Sequence, residues 1–488
     1  MKTKFIFIIF FIFIGIKSKA QTGVFVPQLA SFDTAMLNLM NTYNVPGGQL
    51  AITYKGRLVY NRGFGLADTT LKDSVYPNNL FRIASVSKTV TSLACMKLFE
   101  EGLLDLDAKV FGSNGILNDA MYQNILDPLD TLITVRMLLH HSGGWDRNIT
   151  LDPMFDAYNI ATTLGVSSPP TPSQVIQYVL ANKMLDFTPG TQSQYSNFGY
   201  CVLGRVIEKI TGKGYEDYVT DDIFTPLGIT DIKLGFNLPA NKLANEVNYY
   251  DYPGAPLANS VYDNSTPVAW PYGGFSVEFM DAHGGWVATS KDLLKLVCAF
   301  DRFATRPDIL SNTTIDTMTK PSPHDPNYAC GIGVNTYNNW WHLGSLPGTT
   351  AEIVRNGNNQ LNWAILLNSR DQHLNINTAV DGLVWNILPS ITSWPTFDLF
   401  SEDPSGLNEN SITSELSFYP NPTTGNIFLN NIGTSKILRF EILNSLGQKM
   451  KNVKIDGNIV YTQDLPKGLY FINIRTDKAN SWGKFIKN

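Results

Sequence analysis

Ser85 and Lys88, three positions apart in Phe81-Arg82-Ile83-Ala84-Ser85-Val86-Ser87-Lys88-Thr89-Val90, are the residues of this chain best suited to covalent chemistry. The apolar spacing of Leu93, Cys95, Met96 and Phe99, closed by Gly102, predicts a helix that opens at Ser85 and buries one face. On a helix of 3.6 residues per turn the two side chains share a face, so the lysine nitrogen can reach the hydroxyl. A serine becomes a nucleophile once its proton is taken. The helix N-terminus favours negative charge, and burial beside Val86 and Val90 would lower the lysine pKa enough to make it a base. On spacing alone, an N-cap serine followed by a solvated lysine fits the motif better.

Other elements must bring partners to Ser85. Gln194-Tyr195-Ser196-Asn197-Phe198 precedes a helical pattern through Tyr200, Val202, Leu203, Val206, Ile207 and Ile210, which puts Tyr195 and Asn197 in the loop that opens it. A tyrosine near a cation can carry a proton, and an asparagine can hold a lysine or a substrate carbonyl. His140 and His141 end a short helix predicted over 131–141. A structural role suits them better than a catalytic one, since the macrodipole favours histidine in a last turn.

The scaffold reads as α+β. A helix through Leu29, Phe32, Met36 and Met40 feeds two strands, 49–54 and 58–64, joined at Lys55-Gly56. Further strands are predicted at 337–342, 351–355 and 361–368, with 344–348 as a loop between the first two. Thr289 and Asp292 have the spacing of a capping box, and 382–388 reads as a final helix. Residues 155–172, rich in Thr, Ser and Pro, read as a loop, and the aromatic stretch 234–279 reads as either cleft wall or packed surface, with cleft wall slightly favoured. The fold expected is an antiparallel sheet flanked by helices, with an all-helical subdomain and a small C-terminal β-sandwich. The sandwich is signalled by period-two alternation in Ile427 and Leu429, Leu438, Phe440 and Ile442, and Tyr470, Ile472 and Ile474.

The 488 residues suffice for two or three cores, and a net charge of -5 gives no basic footprint for nucleic acid. Residues 1–20 carry Lys2, Lys4, an apolar run over 5–16 and Ser18-Lys19-Ala20 before Gln21, the pattern of a signal peptide. No later stretch is long and apolar enough to span a membrane. The organisation expected is a signal peptide at 1–20, a catalytic domain at 21–390, a linker at 391–414 and a terminal domain at 415–488. Cys95, Cys201, Cys298 and Cys330 are scattered without a Cys-x-x-Cys pair and read as buried free thiols. The six histidines have no metal-ligand spacing and no nucleotide-binding glycine loop is present, so neither metal nor cofactor is expected.

Ser85-x-x-Lys88, Tyr195-Ser196-Asn197 and His342-Leu343-Gly344, in this order, resemble the three motifs of the serine β-lactamase and DD-peptidase superfamily. The resemblance is to its class C-like, penicillin-binding-protein-like branch and covers roughly 27–389. It implies a hydrolase that acylates Ser85, with Lys88 and Tyr195 sharing the proton work and Asn197 holding Lys88 and the substrate. It also implies an oxyanion hole from the backbone N–H groups of Ser85 and Ser345. Many members open the third motif with a lysine and a hydroxyl residue that grip a substrate carboxylate. Leu343 cannot donate to one, so esters, amides or peptides without that carboxylate fit better. The alternatives are a class C-like β-lactamase or DD-carboxypeptidase and, in another class, an inactive cell-wall or glycan-binding protein.

The C-terminal residues Tyr419-Pro420-Asn421-Pro422-Thr423-Thr424-Gly425, Asn444-Ser445-Leu446-Gly447-Gln448 and 465–472 resemble the sorting domain of the type IX secretion system. That resemblance implies the secretion machinery as a partner and a secreted or cell-surface destination.

Overall fold

In the computed structural model, which describes residues 21–373, 375–401, 418–429, 437–444, 450, 453–476 and 480–488, the strands Gly47–Tyr54 and Leu361–Leu367 lie side by side. This pairing ties the early chain to the late chain: the Asn368 side chain accepts the N–H of Gly47, 321 positions before it, at 2.8 Å. The eight-stranded sheet has the order Gln21–Gly23, Arg57–Asp68, Gly47–Tyr54, Leu361–Leu367, Thr349–Asn356, Asn339–Leu346, Gly333–Val334, with Asp73–Ser74 beside Arg57–Asp68. Its pairings are all antiparallel. The expected hairpin turn at Lys55 and Gly56 forms with φ of 51° and 71°, the pair of positive values that a two-residue turn between twisted strands requires.

Side chains alternate across the sheet, which sorts the core in two. Leu50, Ile52, Trp363 and Ile365 pack with Phe32 and Met36 of helix Ala30–Thr42 and with Val380 and Val384 of helix Asn375–Ile387. Ala51, Ala364 and Leu366 join the larger core, which also holds Val90, Leu93 and Met96 of helix Ser87–Glu100. The all-helical part, Val135–Leu139, Ala157–Leu164, Pro172–Asn182, Asn197–Thr211 and Tyr215–Tyr218, closes over that helix.

Several local expectations change. Helix Ser87–Glu100 buries 11 of its 14 residues instead of one face. Its small hydroxyls make this possible, because Thr89 donates to the Gly331 carbonyl at 2.8 Å and Thr91 lies 2.7 Å from the Tyr215 hydroxyl. The helix expected over 131–141 shrinks to Val135–Leu139 behind a 3-10 turn, with Thr134 as its N-cap. Helix Ala157–Leu164 lies inside the predicted loop, its threonine hydroxyls bonded back to Tyr158 and Asn159. Only half of the capping box at Thr289 forms, since the Asp292 carboxylate turns to the N–H groups of Thr230 and Asp231.

Residues 391–400, expected to open the linker, lie on the body: Trp394 stacks on Tyr54 and Asp398 pairs with Arg306 at 2.7 Å. Beyond it, two sheets share a core of Ile427, Ile442, Val460, Ile472 and Phe485. The predicted signal peptide, most of the linker and residues 445–448 of the sorting pattern fall outside the described residues. Among the described residues no helix is long and apolar enough to cross a membrane. Cys95, Cys201, Cys298 and Cys330 are free and buried.

Candidate active site

The short strand Phe81–Arg82 leads into the 3-10 turn Ala84–Val86, and the backbone there is bent to present the serine. Ala84 has φ 47°, a left-handed conformation that costs an L-residue roughly 1–2 kcal/mol. Packing holds it: Ala84 is buried with Phe275, Val277, Met280 and Leu346. Arg82 anchors the same segment from behind. Its guanidinium donates to the carbonyls of Pro271 and Phe236 and lies 4.2 Å from the Tyr249 ring, so part of the aromatic stretch 234–279 is packed support behind Ser85. Between Phe81 and Val90 only Ser85 retains partial exposure.

Lys88 is fully buried, not solvated. Its Nζ lies 3.1 Å from Ser85 Oγ, 2.7 Å from Asn197 Oδ1 and 2.8 Å from the His283 carbonyl oxygen. Burial holds its pKa well below the ordinary lysine value, with Arg147 pushing the same way and Asp152 opposing. A neutral amine has two N–H groups and one lone pair. In that form Asn197 Oδ1 and the His283 carbonyl accept the two hydrogens, and the lone pair is left for Ser85.

The ring of Tyr195 sits 4.8 Å from Lys88 Nζ and 4.9 Å from the Arg147 guanidinium. Burial raises its pKa above the ordinary tyrosine value, while the neighbouring Ser85 hydroxyl and Arg147 pull it back, so at neutral pH it is a phenol. His141 holds this residue in place: its ring lies 4.4 Å from that of Tyr195, and its Nδ1 accepts the Ser196 N–H at 3.2 Å. The macrodipole does not explain the two histidines. Burial holds both below their ordinary pKa, His140 at about 4, so neither carries the charge that a helix C-terminus would favour.

Strand Asn339–Leu346 runs through the third motif, where a loop from 344 was expected. The ladder continues because Gly344 pairs with Ala351 and Ser345 with Thr350, and the turn is confined to Pro347 and Gly348. On the other side Gly333–Val334 covers only Trp340 and Trp341, which leaves the edge from His342 onward uncovered by any described strand. This edge runs against the serine turn so closely that a Cβ on Gly344 would stand 2.2 Å from the Ile83 carbonyl oxygen. Gly344→Ala is therefore expected to cost about 1–3 kcal/mol in a denaturant melt and to lower turnover by displacing Ser85. His342 is not an anion grip. Its Nε2 lies 3.2 Å from the Tyr328 hydroxyl, its Nδ1 lies 2.7 Å from the Leu343 carbonyl, and burial lowers its pKa to about 3.

The structure thus brings Ser85, Lys88, Tyr195 and Asn197 together beside the strand carrying Gly344 and Ser345. Sequence reasoning missed Asp152 and Arg147, which reach the site from one loop, and the His283 carbonyl, for which side-chain type gives no signal.

An antiparallel sheet backed by two helices and an all-helical half meet at a serine with a buried lysine beside it. The chain belongs to the β-lactamase family, whose model matches residues 32–381. Residues 417–488 match the secretion system C-terminal sorting domain. The probable fimbrial assembly protein FimD, serogroup H1, of Dichelobacter nodosus is 33% identical over 230 residues, 46% of this chain and 50% of that protein. The chain thus spans about half the length of this curated relative. Among solved structures, D-amino acid amidase from Ochrobactrum anthropi SV3 superposes with TM-score 0.57 at 24% identity, over 73% of this chain and 99% of that one. The octameric penicillin-binding protein homologue from Pyrococcus abyssi gives 0.56 at 22%, over 93% and 90%.

Proposed function

We propose that this protein is an exported hydrolase that cleaves an ester or amide bond through an acyl-enzyme on Ser85. The observation that carries the reading is the Lys88 amine 3.1 Å from Ser85 Oγ, with acceptors already in place for its two hydrogens. Lys88 takes the hydroxyl proton as Oγ attacks the substrate carbonyl. The N–H groups of Ser85 and Ser345 stabilise the oxyanion, a contribution of about 3 kcal/mol per donor in comparable sites. Tyr195, held as a phenol, gives its proton to the departing alcohol or amine and is reprotonated from Lys88. Water then attacks the acyl-enzyme by the same groups in reverse order. A fluorophosphonate probe should label the wild-type protein at Ser85, located by peptide mass spectrometry, and leave Ser85→Ala unlabelled. Equal labelling of both would overturn the assignment.

The third-motif strand bears on substrate class. Leu343 is apolar and both nitrogens of neutral His342 have partners inside the protein, so a substrate carboxylate finds no cation there. A charge-assisted hydrogen bond contributes about 1.5–3 kcal/mol, a factor of roughly 10 to 100 in rate. Carboxylate-free p-nitrophenyl esters and amino acid amides should therefore be turned over well ahead of a chromogenic cephalosporin. Cephalosporin turnover matching that of the best ester would refute this preference. The likeness to a D-amino acid amidase supports testing amides of both amino acid enantiomers. The signal pattern at 1–20 and the sorting-domain match support export through the type IX machinery to the cell surface or beyond.

A further inference from the structure

A carboxylate stands behind the amide that holds Lys88. Asn197 Nδ2 donates to Asp152 Oδ2 at 2.7 Å, and Asn197 Oδ1 accepts from Lys88 Nζ at 2.7 Å. Because a carboxylate only accepts, this amide has one workable orientation, nitrogen toward Asp152 and oxygen toward Lys88. Asp152 is itself fixed, as the N-cap of the turn Pro153–Phe155, where its Oδ1 accepts the Met154 N–H at 3.1 Å. With the amide reversed, Lys88 would meet an N–H donor. It would then turn its lone pair to Asn197 and away from Ser85.

We propose that Asp152 is a positioning residue: it locks the Asn197 side chain so that the Lys88 lone pair can point only at Ser85. This rests on Ser85 and Lys88 acting as nucleophile and base. Asp152 does not touch the reacting atoms and aims the base through Asn197. It also sets the charge that Lys88 feels. The imidazoles of His141, His283 and His342, which face Lys88 from the end of helix Val135–Leu139, the turn at 281–285 and the third-motif strand, are held neutral by burial. Tyr195 is a phenol. The charges acting on Lys88 are Asp152 and Arg147, of opposite sign and on the same loop.

The test is steady-state kinetics on the full chain with a p-nitrophenyl ester across pH. Asp152→Ala should lower kcat on the order of 10- to 100-fold with KM changed less than about threefold, because the base is misaimed while the substrate's own contacts remain. Asp152→Asn keeps a partner for Asn197 but removes the anion that favours the ammonium form. It should lose less rate, and the acidic limb of its kcat/KM profile should move to lower pH. A kcat for Asp152→Ala within about threefold of wild type, or an acidic limb that stays in place in Asp152→Asn, would overturn the proposal. A loss confined to KM would do the same. Wild-type protein that resists fluorophosphonate at Ser85 would instead sink the reading on which this one rests. Thermal melts of both variants separate misfolding from misaiming.

Discussion

Lys88→Met should lose on the order of 10³- to 10⁴-fold in kcat/KM and yet melt no lower than the wild type near neutral pH. The rate loss follows from the proposed role of Lys88 as the base that takes the Ser85 proton. The stability effect has a separate origin. Desolvation holds the folded-state pKa of Lys88 well below its ordinary value of 10.5. Between that depressed value and 10.5 the unfolded chain binds a proton that the folded chain refuses. Unfolding is therefore favoured by proton uptake, and the lysine's contribution to stability rises with pH across this window. At neutral pH the residue subtracts from stability, and methionine, of similar length, fills the space without that penalty. Against this gain stand Asn197 Oδ1 and the His283 carbonyl, which lose a donor at a cost of about 1–3 kcal/mol each if they find no other. The decisive measurement is the difference in melting temperature between variant and wild type at about pH 6, 8 and 10, which cancels the titrating groups that do not interact with Lys88. The difference should fall in the variant's disfavour as pH rises. A constant difference would mean that the lysine is charged in the fold, and activity within tenfold of wild type would mean that it is not the base.

The motif residues were legible because chemistry restricts their types: a nucleophile, an amine and a phenol leave few choices, and each sits where a helix opens. Their supports were not. Asp152 is one of many loop carboxylates, and what sets it apart is a fold-made contact with Asn197, 45 positions later. His283 contributes a carbonyl that any residue could supply. The burial of helix Ser87–Glu100 was misjudged because threonine and serine read as surface, whereas these small hydroxyls find carbonyl and phenol partners indoors. In the third motif Gly344, Ser345, Pro347 and Gly348 together resemble a loop. The strand continues to Leu346 because a glycine there admits the Ile83 carbonyl, a close approach that local propensity cannot register. The sheet itself was readable strand by strand, but the pairing of Gly47–Tyr54 with Leu361–Leu367 is non-local and emerges only from the assembled core.

Ser85→Ala should reduce turnover on the order of 10⁴-fold or more, and adding Lys88→Met to it should reduce turnover no further. Groups that act as one unit are non-additive. If Lys88 serves only to take and return the proton of Ser85, it has no task once the hydroxyl is gone. The residual rate would then come from substrate binding and from the backbone N–H donors at the serine turn and at Ser345, which neither substitution removes. Because Lys88 Nζ lies 2.7 Å from Asn197 Oδ1 and 2.8 Å from the His283 carbonyl, it is tethered on two sides and cannot swing to a different acceptor. A further fall of tenfold in the double variant would show that the amine also activates water directly on a bound ester. In that case Ser85 would not be the sole route for acyl transfer. Equal rates for single and double variants, with the Lys88→Met change in pH-dependent stability retained in the double, would separate the amine's catalytic task from the cost of burying it.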